Sequence, residues 1–289
     1  MTKPIEPWRQ RKIADKDGNI TEKFSQWLEL LRKGVNEAMS VRDFYFEVAN
    51  GNVPGHEIWN KFGYNANIPN SGAYETVWAN SNLFVPMASA DTLDLVSTSA
   101  NDAAAGTGFQ TAVVYGIDAN WDAQIEVIAL NGTTAVTTTK TWLGVNRVAC
   151  FLFGSAGTNV GTITVDTNTG ANRQAIVPAG GGVTQQCIFF VPRNSVFNAQ
   201  WLFINGLKTS GGATPTVQIR GQVYSDVNKG VQEIFRMGLD TGIENTQSID
   251  PVPLSFPVAE KSILYFEANS DQNNTELNMR FSGILKTTP

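Results

Sequence analysis

A chain of 289 residues can bury one large core or two modest ones without disulfide or metal staples. Its 21 Lys and Arg against 26 Asp and Glu leave a formal charge of −5, with neither sign clustered, so there is no basic footprint for nucleic acid. Charged residues make up 16% of the chain and aromatics 10%. Such a chain solvates itself with hydroxyls and amides, which suits β-structure and extended protein contacts better than a helical enzyme.

Residues 1–20 are polar and broken by Pro4 and Pro7, and Asp15-Lys16-Asp17-Gly18-Asn19 has the composition of a turn. We expect an extended arm here. No apolar leader precedes it and no stretch has the length to span a bilayer, so the expectation is a protein made and assembled in a cytoplasm, with no membrane partner. From Thr21, an N-cap candidate, the residues Phe24, Trp27, Leu28, Leu31, Val35 and Met39 fall at the spacing of one helical face. The predicted helix has about five turns at most, and Gly34 weakens it by up to about 1 kcal/mol relative to Ala. Such a helix needs a partner surface. Three are open: the chain's own sandwich, other copies, or a different protein.

After residue 41 the runs are β-branched and aromatic, separated by Gly, Asn, Pro or Asp. Strands are predicted over Phe44–Val48, Thr92–Ser97, Phe109–Ile117, Gln124–Leu130, Thr139–Val145, Val148–Phe153, Thr162–Asp166, Gln185–Val191, Ala199–Ile204, Thr216–Tyr224, Glu233–Leu239, Ser262–Glu267 and Glu276–Leu285. This spacing predicts an all-β fold, an antiparallel β-sandwich or jelly roll, one large or two fused, behind a short N-terminal helical arm. The expected division is 1–45 for arm and helix and 46–205 for the main sandwich, with 206–289 completing it or forming a second small β-domain. Strict alternation in 162–166 and 216–220 predicts one apolar and one polar face. Asn131-Gly132 predicts a tight turn between paired antiparallel strands. Residues 50–72, 97–108 and 240–257 look like long polar loops, which in a compact domain are functional or packed on a neighbour.

The residues that could carry chemistry do not assemble into a motif. His56 is the sole histidine, so no metal site or triad can use two, and no nucleophile is marked for it to serve. Asp118-Ala119-Asn120-Trp121-Asp122 resembles the start of a calcium loop but lacks the glycine, and Ala129 stands where a bidentate Glu belongs, so an Asx-rich turn is expected. The glycine clusters at 106–108 and 180–182 open no helix and are expected to be flexible hairpin tips rather than phosphate cradles. Asn131-Gly132-Thr133 and Asn273-Asn274-Thr275 are expected to be turns. Cys150 and Cys187 sit in apolar runs and are expected to be buried thiols. Trp59, Tyr64, Tyr74, Trp78 and Trp121 could stack on sugars, although core and interface packing is the commoner role of such residues. An enzyme acting on polysaccharide would need a close carboxylate pair, and the sequence does not bring Asp94, Asp118 or Glu126 together. We expect no catalytic residues, no cofactor and no metal.

The segments Gly51-Asn52-Val53-Pro54-Gly55-His56, Ser97–Gly108, Leu130–Thr138 and Asn159–Val165 resemble virion structural proteins of tailed bacteriophages, over roughly residues 46–205. Residues 8–31 also look like N-terminal segments of phage tail and appendage proteins. The resemblance implies particle architecture and carries no active site. It leads us to expect a virion protein, assembled in the bacterial host, that meets the major capsid protein or tail proteins. A homo-oligomer, a trimer by preference, is expected. Head decoration is the leading expectation, a tail or fibre adaptor the second, and a carbohydrate-binding sandwich the third. The interface residues expected on the arm are Trp8, Phe24, Trp27, Leu28, Leu31 and Val35.

Overall fold

The computed structural model describes residues 21–210, 214–240 and 246–288; the arm of residues 1–20 and its Asp15–Asn19 turn lie outside them. The chain divides into two compact units, Met1–Glu57 and Ile58–Pro289. In the first, helix α1 (Glu22–Ala49) follows an extended Thr21. It is longer than expected and absorbs the predicted strand Phe44–Val48. The aromatic and β-branched content of that run favoured a strand, but Asp43 before it does not break a helix as glycine or proline would, and the stop comes only at Asn50-Gly51. There Gly51, at φ +74°, supplies the left-handed residue that ends many helices.

The remaining described residues form sixteen strands: β1 (His56–Ile68), β2 (Glu75–Thr76), β3 (Leu93–Ser97), β4 (Phe109–Ile117), β5 (Ala123–Ala129), β6 (Val136–Thr137), β7 (Gly144–Phe153), β8 (Ile163–Thr167), β9 (Arg173–Val177), β10 (Ile188–Val191), β11 (Ser195–Lys208), β12 (Thr216–Ser225), β13 (Gly230–Asp240), β14 (Thr246–Val258), β15 (Ser262–Ser270) and β16 (Thr275–Thr287). Nine of them make two sheets, with orders β1-β16-β11-β14 and β10-β15-β12-β13, the short β2 pairing with β15 beside the second path. The chain crosses between these sheets as it runs from β1 through β10 to β16, and the first strand neighbours the last, which is a jelly roll. Its core is Phe189, Phe197, Ile219, Leu264, Phe266 and Phe281 with their neighbours.

Between β1 and β10 the chain makes a second, smaller sandwich, of sheets β6-β3-β8-β9 and β5-β4-β7, around Leu93, Leu95, Phe109, Val114, Trp142 and Val165. One large sandwich or two fused ones were expected; the strands form two, and a division at residue 205 does not separate them. Strands β1, β10 and β11 belong with the C-terminal strands, because their apolar faces complete that core. The predicted alternation holds: 163, 165 and 167 are buried in β8, and 217 and 219 in β12.

Several expected loops are strands. Residues 56–68 and 246–258 read as polar, yet β1 and β14 are the edge strands of one sheet. An edge strand tolerates asparagine, and it tolerates the prolines of β14 because a missing N–H is not needed on the open side. Residues 139–143, predicted as strand, join β6 to β7. The Asn131-Gly132 turn forms with Gly132 at φ +61°, but its flanking strands part: β5 pairs with β4, and β6 crosses to β3 in the other sheet.

A third apolar cluster, with Trp78, Phe84, Ile117, Trp121, Ile188, Phe190 and Ile263, joins the two sandwiches. Buried within this joint, the Asn146 amide of β7 acts as a peptide mimic. Its Nδ2 donates to Phe190 O at 2.9 Å and its Oδ1 accepts from Phe190 N at 2.7 Å. Gly144 lets the two strands close up, since a Cβ there would lie 2.3 Å from the Phe190 ring.

The 97–108 segment is a packed loop built on Asp102, which is fully buried. Its carboxylate accepts from Ser97 Oγ at 2.6 Å, Phe109 N at 2.8 Å, Val160 N at 2.9 Å and Gly161 N at 2.8 Å. Burial raises its pKa, and these four donors more than offset that, so it lies below the ordinary carboxylate range. Gly108 is required rather than flexible, because a Cβ would fall 2.1 Å from Asp102 Oδ1. Asp102→Ala should therefore orphan two buried N–H groups and a half-buried third and lower unfolding free energy by about 3–5 kcal/mol, measured by urea denaturation; a loss under about 1 kcal/mol would show that the loop does not depend on the carboxylate.

Candidate functional site

The interface residues expected on the helix are partly placed. Trp8 lies outside the described residues, as does the side chain of Val35. Phe24 and Trp27 stack with ring centroids 5.5 Å apart. Leu28 and Leu31 are 44% and 37% exposed, so this part of the apolar stripe faces solvent. Leu30 and Phe46 are exposed as well.

Sequence reasoning missed a second apolar surface, on β5. By alternation, Ile125, Val127 and their like should face the core and Glu126 the solvent. The strand sits the other way round: Ile125 and Val127 are each 53% exposed, while Glu126 and Ile128 are buried. The cause is Glu126, which accepts from Thr139 N at 2.7 Å, Thr139 Oγ1 at 3.0 Å and Lys140 N at 3.1 Å and so caps the turn before β7. Ile125 and Val127 lie opposite Tyr115 and Val113 of β4. At the end of β7, Phe151, Leu152 and Phe153 are also exposed. The detectable signal was an acidic residue amid apolar ones on a strand, which marks either a buried carboxylate with donors or an outward apolar face.

The candidate chemical residues are taken up by local structure. Asp118 Oδ1 accepts from Asn120 N at 2.8 Å and Asp122 N at 2.9 Å, the expected Asx turn. Asp94 accepts from Thr137 Oγ1 at 2.5 Å and from Asn168 Nδ2 at 3.0 Å. His56 opens β1 rather than lying in a loop, its Nδ1 3.0 Å from Pro54 O and its ring edge-on to Phe44. Gly180 and Gly182 have positive φ, and Asn274 turns at φ +57°. Cys187 is buried as expected, but Cys150 is only half-buried.

Of the five candidate stacking aromatics, Trp78 and Trp121 are buried in the joint between the sandwiches. Arg147 lies over Trp59 at 5.0 Å and Arg220 over Tyr74 at 3.9 Å, so those rings already hold cations. Tyr64 stands on β1, its phenol pushed up to about 12 by burial and by Glu276.

A cleft of about 910 Å³ opens beside the joint. Its floor is Trp121, Leu143, Phe190 and Ile263. Its walls are the 86–90 segment, Tyr224 and Tyr265, and its rim holds Asn120, Arg193, Asp226, Lys229 and Lys261. Tyr224 and Tyr265 are on the outer face of the β12–β15 pair: Tyr224 is opposite Ile263, and Tyr265 is opposite Gln222, to which it donates at 3.0 Å.

No protein-family model matches this chain, and no curated protein does. Among solved structures, similarity is found to the Gt strain of infectious bursal disease virus (9% identity, 81% of this chain and 74% of that one, TM-score 0.22) and to T=1 particles derived from the same virus (9% identity, 81% and 70%, TM-score 0.23). A VP2 subviral particle of that virus is similar at 11% identity, over 80% of this chain and 72% of that one, with a TM-score of 0.18. Scores this low carry no functional inference.

Lys61 of β1, also missed in the sequence, is buried and donates to Asn146 O. Burial, reinforced by nearby Arg147, lowers its pKa from 10.5 to about 7. Between those values the unfolded chain binds more protons than the folded one, so stability rises with pH. The Cys187 thiol, pushed by burial from 9.0 up to about 12, acts in the opposite sense above about pH 8.5. We expect unfolding free energy to rise by about 1–2 kcal/mol from pH 7 to about pH 8.5, and Lys61→Met to flatten that rise. Parallel urea titrations of both proteins check it.

Proposed function

We propose that this chain is a non-enzymatic structural component of a tailed-bacteriophage particle, acting as a head decoration protein that bridges capsid subunits. The observation that carries this reading is the solvent-exposed apolar stripe of α1, where Leu28 and Leu31 stand exposed. An amphipathic helix of this kind gains most of its stability from what it packs against. The inverted β5 face adds a second contact surface. Jelly rolls are common in shells and in lectins, and the net charge of −5 favours protein contacts over contact with the genome. The likeness of the 46–205 segments to virion proteins points the same way. Self-association as a trimer would let three copies present their helices together. The same helix would equally serve a tail or fibre adaptor docking through its N-terminal arm, which is the second reading.

Leu28→Glu with Leu31→Glu tests the role of the helix. Both side chains are exposed, so thermal stability should shift little, while incorporation into purified particles should fall at least tenfold. Unchanged incorporation would remove the helix from the interface. Copy number separates the two stations: hundreds per particle supports decoration, and a dozen or fewer supports the tail.

A further inference from the structure

We propose that the cleft between the two sandwiches binds an acidic saccharide. This goes beyond particle architecture and does not depend on it. Its volume, about 910 Å³, is that of a site for a small ligand, and its lining divides into parts suited to a sugar ring. Tyr224 and Tyr265 form one half-exposed wall of flat rings on neighbouring strands. Tyr265 is held in place by its hydrogen bond to Gln222, and a fixed aromatic face is a surface on which the C–H face of a pyranose packs at little entropic cost. Around it stand Asn120, Asp226 and Arg193, planar polar groups able to pair with adjacent hydroxyls.

The charge balance selects the acid. Three cations and one carboxylate are among the lining residues. Lys229 pairs with Asp226 at 2.5 Å, and Arg193 pairs with Asp122 behind the rim. Lys261 makes no ion pair among the described residues. Its backbone is fixed at φ +53°, with its N–H donated to Val191 O and its carbonyl accepting from Asp226 N, so the ammonium is carried on a rigid corner of the cleft. One unmatched cation suits a single carboxylate. A nucleotide phosphate would want several donors or a row of free amides, and an apolar ligand would strip water from the rim charges without replacing it.

The test is calorimetric titration of the full chain with trisaccharides of galacturonate, glucuronate and N-acetylneuraminate, against neutral maltotriose and cellotriose. At least one acidic probe should bind with sub-millimolar affinity and at least tenfold more tightly than either neutral one. Lys261→Asn, which tolerates positive φ, should erase that preference. Tyr265→Ala and, separately, Tyr224→Ala should weaken binding at least tenfold. The proposal is overturned if none of the acidic probes binds at 5 mM, if neutral and acidic sugars bind alike, or if Lys261→Asn and both tyrosine variants bind as the parent does. A nucleotide or an acidic peptide outcompeting the sugars would overturn it too.

Discussion

The arrangement of the second unit depends on one buried side chain, the amide of Asn146, which pairs with both backbone groups of Phe190. Without it, β7 and β10 would meet at the joint with unpaired polar groups inside an apolar cluster, a cost comparable to a lost cavity-filling side chain. With it, two sheets from different sandwiches are joined by the chemistry that joins strands within one sheet. Lys61 donates to the carbonyl of the same residue, and Gln186 Nε2 donates to the neighbouring Val145 O at 2.8 Å. The seam is therefore polar on one line and aromatic around it, which specifies orientation as well as adhesion.

That fixed orientation creates the cleft. The inner face of the β10-β15-β12-β13 sheet is spent on the jelly-roll core, and the outer face is only partly covered by Trp121, Leu143, Phe84 and Trp78. What stays uncovered is the strip bearing Tyr224 and Tyr265. A looser joint would have let the smaller sandwich settle over it or swing clear of it. The three candidate carboxylates, by contrast, are engaged locally, Asp118 and Glu126 in turns and Asp94 across the β3–β6 pair, and Asp102 holds its loop with four donors.

Much of the fold was legible because strands such as β4, β8 and β12 carry the alternation or the apolar run their burial demands. The errors fall where a different constraint governs. β1 and β14 were polar or proline-bearing because edge strands have no second neighbour. The run at 44–48 was helical because no breaker stood before it. β5 was inverted because a glutamate was needed inside as a cap. Lys61 and Asp102 were hidden for a related reason: their burial depends on donors and acceptors brought from 85 and 59 residues away, and no local pattern reports such partners. The apolar helix face was readable, since periodicity is local; the cleft was not, since its lining comes from six separate segments.

Within its sheet, β1 has a single neighbour, β16, the last strand described, and β16 alone stands between it and β11. During synthesis the opening strand of the larger sandwich must wait until β16, more than 200 residues later, has left the ribosome. The smaller sandwich, whose strands are contiguous in sequence, needs no such delay. Until β16 arrives, the finished inner module stands beside an open hydrogen-bonding edge on β1, and the larger sandwich closes only when that strand is seated.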